Sequence, residues 1–485
     1  MQLSELIKNI GRLQISGSVE KEIAAIEFDS RKATAGSVFV AQRGATVDGH
    51  KFIPAAIGNG TAVVVCEEFP KELSDKITYI KVADSNVALG ELAAAFYGSP
   101  STKLKVVGVT GTNGKTSIAT LLYDMFLKLG YKTGLLSTIS YCVNGREETA
   151  SHTTPNAIKI QQLLAEMVDA GCEFCFMEVS SHAVHQNRIA GIDFAGGVFT
   201  NITHDHLDYH KTFAEYIKAK KGFFDRLSET AFAVTNIDDK NGLVMLQNTK
   251  ARKVTYSNQS MADFRCKVLE NHFDGMLLNI DGQEIWTRFV GRFNASNLLA
   301  VYTTAIQLSQ NKDEVLTVIS NLQPVQGRFE TLRSSDGKYA IVDYAHTPDA
   351  LKNVLAAISE IRTRNEQVIT VVGAGGDRDK TKRPEMAKEA VLASDKVILT
   401  SDNPRTENPA QIIKDMEAGV PVSYKSRVVS IENRKDAIKT ATLIAQPGDI
   451  ILVAGKGHEN YQDINGVKHH FDDREVIKEF FGIED

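Results

Sequence analysis

Three groups of residues in this 485-residue chain have the types and spacing that chemistry needs. The first is Gly111-Thr112-Asn113-Gly114-Lys115-Thr116-Ser117, set between the β-branched run Lys105 to Thr110 and an amphipathic stretch from Ser117 to Leu129 closed by Gly130. A glycine-bearing loop joining a strand to a helix turns backbone N–H groups toward an anion. A lysine adds a point charge for the outer phosphates, and the next hydroxyl can ligate Mg²⁺. The pattern is that of a nucleoside triphosphate site, although Gly111 stands two residues nearer to Gly114-Lys115 than the common G-x-x-x-x-G-K-[ST] loop places it. The second group is Glu178, which ends the apolar run Phe174-Cys175-Phe176-Met177 and can join Thr116 around a metal. The third is Thr203-His204-Asp205-His206-Leu207-Asp208-Tyr209-His210, with three His and two Asp in eight residues, a density that suits metal, phosphate or solvent.

Such groups must be held at strand ends, and the chain supplies strands in alternation with helices. The expected fold is α/β with three domains: a small N-terminal α/β domain over 1–101, a central P-loop domain with a parallel sheet over 102–324, and a C-terminal Rossmann-like domain over 325–485. In the first, Ser37 to Ala41 and Ala62 to Cys66 read as strands and Asn86 to Tyr97 as a helix stopped by Gly98-Ser99-Pro100. In the second, strands are expected at Gly134 to Thr138, Glu173 to Val179, Gly197 to Asn201 and Ala231 to Asn236, with helices near Ile158 to Ala170 and Phe213 to Leu227. In the third, strands Tyr339 to Tyr344, Gln367 to Gly373, Lys396 to Thr400 and Asp449 to Ala454 alternate with helices Pro348 to Ile361 and Arg383 to Ala393. Ligands in open sheets of this kind collect beyond the carboxyl ends of the strands.

Composition narrows the function. A net charge of −5 and a pI near 6.2 give no electrostatic reason to expect nucleic acid or an anionic membrane as partner. No apolar run approaches a membrane span, and Met1 to Ile10 lacks the pattern of a signal peptide, so a cytosolic protein is expected. Cys172 and Cys175 form a C-x-x-C inside a strand-like run with no second pair to complete a zinc site. Gly373-Ala374-Gly375-Gly376-Asp377-Arg378 lacks the third glycine of a dinucleotide fingerprint.

The Gly-Thr-Asn-Gly-Lys-Thr loop, the Asp205-His206-Leu207-Asp208-Tyr209-His210 segment, the Asp343 strand, Asp402-Asn403-Pro404-Arg405 and Gly455-Lys456-Gly457-His458-Glu459 resemble, in this order, the motifs of the Mur ligases. These are ATP-driven enzymes, related to folylpolyglutamate synthases, that join a carboxylate to an amine. The resemblance spans nearly the whole chain. It implies ATP on Gly111 to Ser117 with Asn297 near the adenine and Arg328 and Asp343 contacting the nucleotide, and Mg²⁺ on Thr116, Glu178, His206 and Lys220. Lys115, Lys220 and His206 are then the catalytic residues. In the Tyr-x-x-Ala-Lys register that ends at Lys220, family members carry a CO₂-derived carbamate; read from the residues alone, Lys218, Lys220 and Lys221 are a solvated helix face.

The same resemblance implies that Phe28, Ser30, Ala45, Thr46 and Val47 hold a UDP group, which by themselves would be surface loops. Thr153, Thr154, Ser180, Gln186 and Arg188 would grip a muramoyl peptide, and Arg378, Asp402, Asn403, Pro404, Arg405, Gly455 and Glu459 an incoming diamino acid. The implied substrates are UDP-N-acetylmuramoyl-L-alanyl-D-glutamate and meso-2,6-diaminopimelate, joined through an acyl phosphate by a monomer. A guanidinium at Arg405 matches the far carboxylate that distinguishes diaminopimelate from lysine. The competing expectations are the same ligase with L-lysine or another diamino acid, a folylpolyglutamate synthase, and a non-enzymatic nucleotide switch.

Overall fold

The computed structural model describes residues 1–8, 10–11, 13–44, 47–150, 152–203, 205–363 and 365–483, with Asp208 in its backbone only. The chain forms two compact units, one of residues 1–202, 214–255 and 307–309, the other of 203–213, 256–306 and 310–485.

The first unit contains two sheets. Its N-terminal sheet has the strand order Gln14–Ser16, Thr78–Lys81, Val63–Cys66, Ser37–Val40, Ala25–Glu27; the first pair is antiparallel and the rest parallel. Side chains alternate across these strands, so Val38, Val40, Val63, Val65 and Ile80 pack on one face and Phe39, Val64, Cys66 and Tyr79 on the other. The helix Ser85–Phe96 covers the first face, and the Asp84 carboxylate caps it by accepting from the N–H groups of Asn86 and Val87. In the second sheet the parallel strands run Phe232–Asn236, Phe194–Phe199, Lys105–Thr110, Phe174–Glu178, Thr133–Leu136. Successive strands are added first on one side of Lys105–Thr110 and then on the other. The carboxyl end of that strand therefore opens on a crevice, and the glycine loop lies there.

The second unit is built on a sheet ordered Glu330–Arg333, Tyr339–Asp343, Ile450–Ala454, Val368–Ala374, Lys396–Ser401, Val428–Ser430, parallel except for its first strand. Ile341, Val372, Leu399 and Leu452 face one apolar layer, and Val342, Val371, Ile398 and Val453 the other. Both faces are covered, which is why these strands read as continuous apolar runs.

The α/β class and the parallel strands are as the sequence implies, with two corrections. The helix after the glycine loop begins at Lys115, two residues before the expected Ser117, because Gly114 at its N-cap adopts φ 87° and turns the chain directly into it. The alternation of strand and helix is also broken by antiparallel strands: Ser140–Val143 with Arg146–Thr149 in the first unit, and Phe264–His272, Gly275–Ile280 and Gln283–Thr287 in the second. These half-exposed ribbons lack the apolar runs by which the buried strands announce themselves.

Candidate active site

In the first unit, the strand Lys105–Thr110 is buried from Val106 onward and delivers the chain to Gly111. A Cβ at Gly111 would lie 1.9 Å from the Thr200 hydroxyl oxygen, so only glycine fits against the neighbouring strand end. The loop is pinned to that strand end. Thr112 N–H donates to the Asn201 carbonyl (2.8 Å), Asn113 N–H to Asn201 Oδ1 (2.9 Å), and the Thr200 hydroxyl to the Asn113 carbonyl (2.6 Å). Lys115 folds over the loop, donating to the carbonyls of Gly111 (2.9 Å) and Thr112 (2.8 Å), and Thr116 and Ser117 lie buried in the first helical turn. A lysine, a helix N-terminus and a hydroxyl thus stand at one strand end, which is the chemistry of a phosphate and metal site.

Glu178 ends the adjacent strand in register with Val109 and is wholly buried. Its Oε1 accepts from Thr138 N–H at 2.6 Å, while Oε2 is buried with no hydrogen-bond partner. An ionised oxygen so placed costs several kcal/mol unless a cation meets it, so this donor fits Mg²⁺. Among the described residues no group of three or more His, Cys, Asp or Glu side chains is placed to hold a metal. Thr116 and Glu178 would supply two oxygens to such a site, and Mg²⁺ commonly takes others from phosphate and water.

Lys220 lies on the helix Phe213–Asp225, 1% exposed, and donates to the Gly111 carbonyl at 2.6 Å. Its Nζ sits 4.7 Å from the centre of the Tyr216 ring, and the Tyr216 hydroxyl is 3.1 Å from that of Thr112. Lys218 is exposed beside Glu215, and Lys221 pairs with Asp225. Only Lys220 of the three reaches the glycine loop, because it shares the inward stripe of Tyr216, Ala219, Phe223 and Phe224.

Beside Glu178, the Thr154 hydroxyl donates to the Glu178 carbonyl (2.8 Å) and accepts from Ser180 N–H (3.1 Å). Ser180 caps the helix Ser181–His185. Arg188 donates from Nη1 to the Thr154 carbonyl (2.9 Å) and from Nε and Nη2 to Gln186 Oε1. The Thr153 hydroxyl accepts from that of Thr138 at 3.1 Å. Thr154, Ser180, Gln186 and Arg188 are therefore one hydrogen-bonded group, and Thr153 is linked to it through Thr138 and Glu178.

On the N-terminal sheet, Ser30 is buried in a turn capped by Asp29, whose carboxyl is held down at about 2 by its hydrogen bonds with Arg31. Phe28 and Val47 are exposed apolar side chains. Ala45, Thr46 and His204 lie outside the described residues.

In the second unit, His206 has a left-handed backbone (φ 54°) and stands 3.4 Å from Asp205. Burial alone would raise the Asp205 carboxyl, but His206 and Lys382, the latter donating at 3.0 Å, together hold it far below the usual range. Asp343 ends its strand with both carboxylate oxygens accepting backbone N–H groups, from Phe329 (2.7 Å) and Ala345 (2.8 Å). Burial pushes it up to about 6 against the pull of Arg328, whose guanidinium lies 4.4 Å over the Tyr344 ring. Asn297 is buried and donates to Asn294 Oδ1 at 3.2 Å.

Farther along the same sheet, the carboxyl ends of Val368–Ala374, Lys396–Ser401 and Ile450–Ala454 gather the remaining residues. Arg378 and Arg405 both flank Gly375, and Arg405 Nη1 donates to the Gly376 carbonyl at 2.7 Å from a left-handed backbone (φ 49°). A Cβ at Gly376 would lie 1.9 Å from the Pro404 carbonyl oxygen and one at Gly455 2.5 Å from Asp402 Oδ2, so both loops depend on glycine. Asn403 Nδ2 donates to Glu459 Oε2 at 2.8 Å. Two guanidinium groups and one carboxylate can together take a zwitterion. Sequence reasoning assigned no role to Lys456, which is fully buried among these groups, or to Arg383, which holds Glu407 and Asp415 at 2.8 to 3.0 Å beneath the Arg378 loop.

Comparison with known proteins gives matches along the chain. Family models match in three stretches: "Mur ligase family, catalytic domain" over 22–97, "Mur ligase middle domain" over 109–305 and "Mur ligase, glutamate ligase domain" over 327–457. The chain is 58% identical over 484 residues to the UDP-N-acetylmuramoyl-L-alanyl-D-glutamate--2,6-diaminopimelate ligase of Phocaeicola vulgatus and 55% identical over 483 residues to that of Bacteroides fragilis, covering 100% of each chain. A solved structure of a ligase of the same name superposes with a TM-score of 0.71 at 31% identity, over 99% of both chains.

Proposed function

The chain belongs to the Mur ligase family, and from that premise we infer that it is an ATP-dependent ligase joining meso-2,6-diaminopimelate to the D-glutamate of UDP-N-acetylmuramoyl-L-alanyl-D-glutamate, in peptidoglycan precursor synthesis. The observation that carries this reading is full-length similarity at 55 and 58% to relatives bearing that name, together with a site whose parts suit each substrate. In the proposed division of labour, residues 1–101 hold the UDP group, 102–324 the ATP, and 325–485 the amino acid.

A carboxylate is a poor acyl donor, so the γ-phosphoryl group of ATP first goes to the D-glutamate side-chain carboxylate. The diaminopimelate amine then attacks the acyl phosphate, and phosphate leaves as the amide forms. Lys115 and the N–H groups of the first helical turn hold the outer phosphates where charge is transferred. Thr116 and Glu178 would hold Mg²⁺, with Lys220, as its carbamate, and His206 as the further ligands that the family resemblance implies; the metal would supply charge neutralisation at the phosphoryl group. Asn297, Arg328 and Asp343 position the nucleotide. Phe28, Ser30, Ala45, Thr46 and Val47 hold the uridine part, and Thr153, Thr154, Ser180, Gln186 and Arg188 bring the acceptor carboxylate to the phosphate loop. Arg378 and Arg405 take the carboxylates of the incoming amino acid, and Glu459 its ammonium, with Asp402, Asn403, Pro404 and Gly455 shaping the pocket.

The test is to incubate the protein with ATP, Mg²⁺, the UDP-muramoyl dipeptide and diaminopimelate. The expected result is ADP and a tripeptide product of the corresponding mass, with neither formed when the dipeptide is left out. Absence of product from a folded, nucleotide-binding protein contradicts the reading.

A further inference from the structure

Lys456 follows the buried strand Ile450–Ala454 and Gly455, and its side chain is 0% exposed. A buried ammonium is tolerated only when its donors are taken up. Here they go to Asn403 Oδ1 (3.3 Å), Glu459 Oε2 (3.2 Å) and the Tyr461 carbonyl, three groups from two segments of chain. Asn403 is itself 2% exposed, and Asp463 N–H also donates to its Oδ1, at 2.9 Å. Two donors on one end of the amide force the other end, Nδ2, toward Glu459 Oε2. Glu459 Oε2 is in turn shared by Lys456 and Asn403, which orients the carboxylate and turns its Oε1 away from both. Turning the amide over would set Nδ2 against Lys456 and the Asp463 N–H, and Oδ1 against a carboxylate. Lys456 thus makes one orientation of Asn403 and Glu459 the only inexpensive one.

We propose that Lys456 is a positioning residue for the incoming diamino acid, which fixes the Asn403 amide and aims the free oxygen of Glu459 at the ligand ammonium without touching the ligand itself. The proposal rests on the reading above that this pocket takes diaminopimelate. It gives Lys456 no part in phosphoryl transfer, and that separates positioning from a general structural role.

The test uses the full-length enzyme and Lys456→Met, which keeps the side-chain length and removes the donors. Two rates are measured: amide formation against diaminopimelate concentration, and hydroxylamine trapping of the acyl phosphate with ATP and the UDP-muramoyl dipeptide alone. The expected result is a rise in KM for diaminopimelate on the order of 10- to 100-fold, the usual cost of losing a group that orients binding residues. Trapping should fall by less than about three-fold, since that step does not use the amino-acid pocket. An unchanged KM, or trapping reduced as much as amide formation, overturns the proposal. Failure of the unmodified enzyme to give any trapped product would instead count against the ligase reading. If Lys456→Met does not fold, the double variant Lys456→Met/Glu459→Gln removes the buried cation together with its half-buried counter-charge and carries the test. Its KM for diaminopimelate should match that of Glu459→Gln alone within about two-fold, because the Asp463 N–H still holds Asn403 Oδ1 and the rest of the effect of Lys456 passes through Glu459. A KM for the double variant more than about ten-fold above that of Glu459→Gln would overturn the proposal.

Discussion

The glycine loop and the proposed amino-acid pocket solve the same problem, fixing charged groups near a strand end, in opposite ways. The loop at Gly111 to Ser117 is one contiguous segment, held through its own backbone groups by the Thr200 hydroxyl and by the carbonyl and side-chain amide of Asn201, and Lys115 and Lys220 both donate to loop carbonyls. The amino-acid pocket is assembled from segments around Gly375, Asn403, Glu459 and Tyr461, held by side chains to one another. Beneath it lie Arg383 on Glu407 and Asp415, and Arg434 on Asp473 with a further bond to the Ala454 carbonyl. A backbone-built site fails where a chemical group or a glycine is lost. A network-built site loses specificity first.

The largest effect is expected at the loop. Lys115→Ala should lower turnover on the order of 10³-fold or more, because the charge on the transferred phosphoryl group loses its point counter-charge. Thermal unfolding should stay within a few degrees of the parent, since the half-buried lysine folds over its own loop and is no part of the apolar core. Turnover near the parent value in a folded variant would remove the phosphate role of this loop.

Next is Lys220→Ala, predicted to lose about 10² to 10³ of the rate and to recover part of it with added acetate, whose oxygens can take the place of a carbamate. No recovery at any acetate concentration, with the nucleotide still bound, would speak against the carbamate. Arg405→Ala should raise the KM for diaminopimelate by about 10² and that for ATP by less than about three-fold, since a lost guanidinium leaves a carboxylate unmatched. Equal rises in both constants would show that the pocket is no more local than the loop.

The smallest effect concerns the support of the pocket. Hydrogen bonds from Arg383 and the Asp377 N–H hold Glu407 at about 2 instead of the ordinary 4.5. A carboxyl depressed on folding contributes stability above its unfolded value and loses it as pH falls through 4.5 toward 2. Glu407→Gln should therefore make the acid limb of the stability curve shallower by about one proton in that window and lower the plateau above pH 6, where the contribution is fully present, without changing the slope there. Identical limbs for parent and variant would exclude this account.

The contrast also explains what was legible in the sequence. The strands of both main sheets are buried on two faces and stood out as apolar runs, and the glycine loop stood out because all its parts are adjacent. The ribbon of Phe264–His272, Gly275–Ile280 and Gln283–Thr287 did not, since its burial is patchy. Three buried cations were legible by phase, though not by composition. Lys220 falls on the stripe of Tyr216, Ala219 and Phe223, Arg383 on that of Met386, Ala387 and Ala390, and Arg434 on that of Ala437, Ile438 and Ala441. A charge in register with the apolar face of a helix must find partners inside, whereas counting lysines in the segment suggested a solvated surface. Lys456 carried no such periodic signal, because it sits in a loop between two glycines and one of its partners, Asn403, is distant in sequence.

The central claim, a ligase selective for diaminopimelate, is tested most directly by competition. With ATP, Mg²⁺ and the UDP-muramoyl dipeptide saturating, equal concentrations of meso-diaminopimelate and L-lysine are offered and the two tripeptide products are separated by mass. The account predicts diaminopimelate product in excess on the order of 10³- to 10⁴-fold, because lysine would leave the Arg405 guanidinium desolvated and without its carboxylate. Comparable amounts of the two products would contradict it.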